Sequence, residues 1–211
     1  MVKLQRFFIK RREEIMKKLK KLGLNLLVVC VIGLTFAGCA SSSAFYAPTN
    51  PFYYASSGDL DGLKKLIAQK KVSLDMTDKK RFPSTLFTTA IKYNQFNIAD
   101  YLLQEGVDIN EAVNSMIYTK SRAPLHCAAK DGNLAGVQYL LKNGATIDVY
   151  DLKKTTPLMF AAKSNEFEVV KFLVESGSDV NAKSRHKLYK SVVSSARKKE
   201  IKDYLKSMQN I

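Results

Sequence analysis

The sequence predicts an all-α solenoid of stacked helix-turn-helix units, and three observations predict it. Residues 123–148 (APLHCAAKDGNLAGVQYLLKNGATID) and residues 156–181 (TPLMFAAKSNEFEVVKFLVESGSDVN) superpose without a gap at an offset of 33. Within each unit the second helix carries apolar residues at i, i+3, i+4: Val137, Leu140 and Leu141, then Val170, Leu173 and Val174. Gly106, Gly144 and Gly177 each follow the last apolar residue of such a stretch by three positions, where a helix end favours left-handed backbone.

The first helix of each unit is signalled by Pro124 and Pro157. At the first helical position proline's missing N–H removes no hydrogen bond. Ala128, Ala129, Ala161 and Ala162 are small enough for helices of adjacent units to approach closely. Pro-Leu-His at residues 124–126, with a 33-residue period, resembles the ankyrin-repeat family. Two weaker units precede these, at about 51–75 and 85–110, and a partial C-terminal unit at about 186–208 closes the array as a capping helix pair. The ankyrin-repeat region is thus expected over 51–211. A single unit cannot bury its apolar face, so stacking of at least three stabilises all of them.

The spacing is uneven. Ile67 to Leu103 is 36 residues and Leu103 to Leu141 is 38. The five extra residues fall in EAVNSMIYTKSR, between Asn110 and Ala123, where an insertion is expected to form a longer loop. The family binds partners through such loops and the concave helix face. The resemblance therefore implies a protein partner met by Lys80, Arg81 and Phe82 in one loop, Tyr118, Lys120 and Arg122 in the next, and Tyr150, Lys153 and Lys154 in the third. Aromatic and Arg side chains are what interface hot spots use.

The N-terminus reads as an address. Residues 22–38 carry no charge and follow the basic block Lys17, Lys18, Lys20 and Lys21. Positive charge resists translocation, so the chain beyond is expected to be exported. The apolar core Leu24 to Ala37 has 14 residues, which suits a signal peptide over 1–38 better than a full membrane span. Phe36-Ala37-Gly38-Cys39 resembles the lipobox of bacterial lipoproteins, with Phe36 standing where Leu is commonest. The resemblance implies cleavage before Cys39 and acylation of that residue, with 39–50 as a tether. An ordinary signal or an uncleaved anchor would leave residues 40–211 on the same side. The signal would also begin well at Met16. Ala40 after the cysteine favours the outer over the inner membrane, where Asp is usual in that family.

Formal net charge is +15, but it sits at the ends. Residues 1–38 and 183–211 contribute +7 each, and the stretch between is nearly neutral. Whole-chain basicity therefore gives no argument for nucleic-acid binding. The alternative it does raise is that Arg197, Lys198, Lys199, Lys202 and Lys206 bind anionic lipid or wall polymers.

No spacing of His, Cys, Asp or Glu in the sequence resembles a metal site, and phosphate-binding loops and nucleophile motifs are missing from it. His126 is expected to hydrogen-bond between adjacent loops, as the family uses it. Cys127 reads as a small buried thiol, and Asp75, Asp108, Asp148 and Asp179 as recurrent turn residues. The expectation is a monomeric binding protein without cofactor or catalysis.

Overall fold

The computed structural model describes residues 50–69, 72–78, 84–115, 120–185 and 190–209, and its side chains over 113–121 are not described. The signal, Cys39, Lys80, Arg81, Phe82, Tyr118 and His186 lie outside the described residues. The described chain forms helix pairs: α1 (Pro51–Ser57) with α2 (Leu60–Ala68), α3 (Leu86–Lys92) with α4 (Phe96–Gln104), and α5 (Pro124–Lys130) with α6 (Leu134–Lys142). Then come α7 (Pro157–Ser164) with α8 (Phe167–Glu175), and the short α9 (Val192–Ser195) with α10 (Lys199–Gln209). The insertion folds as an antiparallel hairpin, β1 (Val113–Ser115) against β2 (Lys120–Arg122), with Val113 opposite Arg122. The all-α solenoid is as expected, with this hairpin added to it.

The first helices pack in series, α1 on α3, α3 on α5, α5 on α7 and α7 on α9, and each second helix packs on its own first helix. One core runs through the stack. Ile91, Leu102, Leu125, Leu140, Leu158 and Leu173 are fully buried in it, and Ile201 and Leu205 close it at the last helix. Ala129, Ala161 and Ala162 are also fully buried, as close helix contact requires.

Helix ends are satisfied in a repeating way. Gly144 has φ +88°, its N–H donates to the Leu141 carbonyl, and the Ala145 N–H reaches back to Leu140. Gly106 and Gly177 repeat the geometry at φ +92° and +93°. This is the double hydrogen bond that a left-handed residue allows at a helix C-terminus. The turns within pairs are stitched along the stack by side chains. Asn133 Nδ2 donates to the Ile91 carbonyl at 2.8 Å, and Asn165 Oδ1 accepts from Lys198 N at 3.1 Å.

Candidate interaction surface

Each connection into a first helix forms a short finger. The base of the first is the bridge between Thr77 and Thr85, with Asp78 Oδ1 accepting from Ser84 N at 2.8 Å. The second is the β1–β2 hairpin. The third is a tight turn: Asp151 Oδ1 accepts from Lys153 N and Thr155 N at 2.8 and 2.7 Å, and Lys154 takes φ +54°. The fourth has Lys183 bridged to Ser191 and Ser184 N donating to the Lys190 carbonyl at 2.9 Å. Because the first helices stack in series, fingers that lead into them line one edge.

The fingers are fastened to one another. His126, at the third position of α5, is fully buried. Its Nδ1 accepts from Ala123 N at 3.2 Å and its Nε2 meets the Thr155 carbonyl at 2.9 Å. Since Nδ1 accepts, Nε2 carries the proton and donates. Desolvation holds the His126 pKa below its ordinary 6.5, with Arg122 lowering it further and the Thr155 carbonyl and Asp151 opposing. The inter-loop role expected of His126 is thus present in full, and both ring nitrogens are occupied. The neighbouring Cys127 is a half-buried free thiol, and burial pushes its pKa up, away from the reactive thiolate. One finger further on, Arg185 N and Ser184 Oγ donate to the Lys153 carbonyl at 2.8 and 2.9 Å.

The aspartates expected at turns are engaged there. Asp108 Oδ1 accepts from Asn110 N, and Asp179 Oδ1 from Asn181 N, each at 2.8 Å. Asp148 accepts from Ser178 Oγ at 2.6 Å and Asp179 N at 2.9 Å, and Asp75 accepts from Ser73 Oγ. Among the described residues no group of three or more His, Cys, Asp or Glu could hold a metal ion.

The sequence-derived contact residues fall into different situations. Tyr150, Lys153 and Lys154 are exposed on the third finger. Arg122, at the base of the hairpin, is half-buried, with its guanidinium 4.6 Å from the Phe160 ring centroid and its Nε enclosed without a partner. It braces the finger against α7. Only the backbone of Lys120 is described. Three exposed apolar residues of the described chain are not among those expected, Tyr53 on α1 being 44% exposed. Leu152 is 62% exposed on the third finger, and Tyr93, 53% exposed, ends the first helix of its pair. Beside Tyr93, Lys92 and Lys130 both approach Asp131, at 4.0 and 3.3 Å.

The basic C-terminal segment divides into two groups. Lys183, Arg185 and Lys190 belong to the fourth finger. Arg197, Lys198, Lys199 and Lys206 are exposed, and Lys202 half-buried, on α10 and the turn before it. That turn lies at the far end of α9 from the fourth finger, about 6 Å of helix away, and α10 runs back until Gln209 Nε2 donates to the Val180 carbonyl at 3.1 Å.

A family model described as ankyrin repeats (3 copies) matches residues 51–151 and, again, residues 112–184, more than half of the 211-residue chain. No curated protein matches the chain.

Proposed function

The chain belongs to the ankyrin-repeat family, whose repeats are protein-interaction modules, and from that premise we propose a lipid-anchored, non-enzymatic binding protein of the bacterial cell envelope. Cys39, in Ala37-Gly38-Cys39 after an uncharged stretch, is the residue that would carry the acyl chains. The repeats then hold a protein partner on the exported side, against the fingers and the concave face of the first helices.

The observation that supports this best is the third finger. Tyr150 and Leu152 are 53% and 62% exposed, side by side on a turn that Asp151 locks through two backbone hydrogen bonds. Water-exposed apolar groups on a rigid turn give a partner contact area with little ordering cost. His126 and Cys127, adjacent on α5, support binding over catalysis. Both nitrogens of His126 are engaged, and burial keeps the Cys127 thiol protonated.

Replacing Tyr150 and Leu152 together by Ser should weaken co-isolation of the partner from solubilised membranes by about tenfold or more, the scale of interface anchors. The thermal midpoint should stay within about 2 °C, since exposed substitutions change stability little. Unchanged co-isolation would place the contact elsewhere.

A further inference from the structure

Fingers three and four together make a surface that neither makes alone. The Arg185 N–H to Lys153 carbonyl hydrogen bond joins them. It brings Lys153 and Lys154 from one finger beside Lys183, Arg185 and Lys190 from the other, all five exposed. Among the described residues none of the five lies within ion-pair distance of a carboxylate, since the pairs present are Lys92 and Lys130 with Asp131 and Lys171 with Glu175. Asp151 is the one acid within the two described fingers, and its Oδ1 accepts two backbone N–H groups. Counting Asp148 and Asp179 at the finger roots still leaves cations in excess. Within this basic field stand Tyr150 and Leu152, with Tyr93 the most exposed large apolar side chains among the described residues.

We propose that fingers three and four receive an acidic segment of the partner protein that also carries apolar side chains. Tyr150 and Leu152 take the apolar groups, and the surrounding Lys and Arg side chains take the carboxylates. The inference rests on the reading of the fingers as a protein-binding face and adds the chemistry of what binds there. A membrane or polymer surface is the weaker fit. The repeats are protein-interaction modules, and a purely anionic polymer would leave Tyr150 and Leu152 facing water. Isolated surface charges contribute little, but several of one sign converging on one ligand steer and select it.

The test uses the full chain and a fluorescein-labelled peptide of alternating Glu and Leu or Phe. Comparators are the same peptide with Lys for Glu, an all-Glu peptide, and vesicles of phosphatidylcholine and phosphatidylglycerol. The acidic-apolar peptide should bind, and its affinity should fall as salt is raised, because exposed charges are screened within about 8–10 Å. Lys183→Glu with Arg185→Glu should weaken it about tenfold or more, as should Tyr150→Ser with Leu152→Ser, whereas Lys199→Glu with Lys206→Glu should not. Equal binding of the all-Glu peptide or the vesicles, with no loss in the Tyr150/Leu152 variant, would overturn the proposal in favour of a polyanion surface. Lack of peptide binding would also overturn it. If the Tyr150/Leu152 variant still released the co-isolated partner, only the chemistry named here would fall. If it did not, the protein-binding reading would fall too.

Discussion

His126→Ala is expected to destabilise the protein by about 2–5 kcal/mol, the sum of two orphaned buried groups and a cavity. The imidazole caps the Ala123 N–H and holds the Thr155 carbonyl, at 3.2 and 2.9 Å, in surroundings where water cannot replace it. Ala123 and Thr155 are only 1% and 9% exposed. Against a total of about 5–15 kcal/mol for an ordinary domain, the loss is severe. It falls at the junction between the α5–α6 and α7–α8 pairs, so urea unfolding followed by circular dichroism should show a lower midpoint and a broader, split transition. Adding Ala123→Thr to the variant should recover about 1 kcal/mol. Thr85 and Thr156 occupy the corresponding caps, where their hydroxyls accept from Thr88 N at 3.1 Å and Met159 N at 3.3 Å. The rescue is partial because the new hydroxyl accepts from residue 126 N, and both the residue 123 N–H and the Thr155 carbonyl stay unpaired.

The same residue sets a pH signature. Desolvation lowers the His126 pKa in the folded chain below 6.5. Above pH 6.5 the ring is neutral folded and unfolded, and its titration contributes nothing. Below it the unfolded chain takes up the proton first. Stability then falls by up to about 1.4 kcal/mol per pH unit until the folded-state pKa is reached. The slope should be missing from His126→Ala. A wild-type slope retained by the variant would mean that another group titrates.

Cys39→Ser is expected to abolish both the acyl chains and the cleavage before residue 39, so that residues 1–38 stay on the chain. Each buried methylene contributes about 0.8 kcal/mol to membrane attachment, so several acyl chains anchor stably where one is marginal. Expressed from its own start in a bacterial host, the wild type should lose residues 1–38 and gain the mass of acyl chains. The variant should carry neither change. Identical mass and location for the two would make Cys39 incidental and leave an ordinary signal or an anchor helix.

What could be read from the sequence was what repeats. Pro124 and Pro157, the buried alanines, and the glycines at 106, 144 and 177 each answer a local steric demand that recurs with the fold. His126 was legible because its partner lies in the next loop of the same register. The hairpin was not legible. Val113-Asn-Ser and Lys120-Ser-Arg lack the alternating apolar pattern of a strand, and the pairing comes from chain reversal within an insertion. Nor was Leu152 legible, because composition cannot tell an exposed aliphatic residue from a buried one. The junction of Lys153 with Arg185 depends on stacking across 32 residues, so the sequence presented one C-terminal basic run where the fold makes two separate groups. Likewise Arg122 read as a free contact residue, and only packing places its guanidinium over Phe160.

Among all these tests, a photo-cross-link map bears most directly on the claim that the fingers are the working surface. A photoreactive amino acid is placed singly at Tyr93, Leu152 or Arg185, and at Lys171 or Lys206 on outer helices, in the full chain expressed in a bacterial envelope. All five positions are exposed or half-exposed, so none should impair folding. The account predicts one common cross-linked protein from Leu152 and Arg185, a weaker product from Tyr93, and none from Lys171 or Lys206. Cross-links that arise from Lys206 while Leu152 and Arg185 stay silent would contradict it and put the binding face on the last helix.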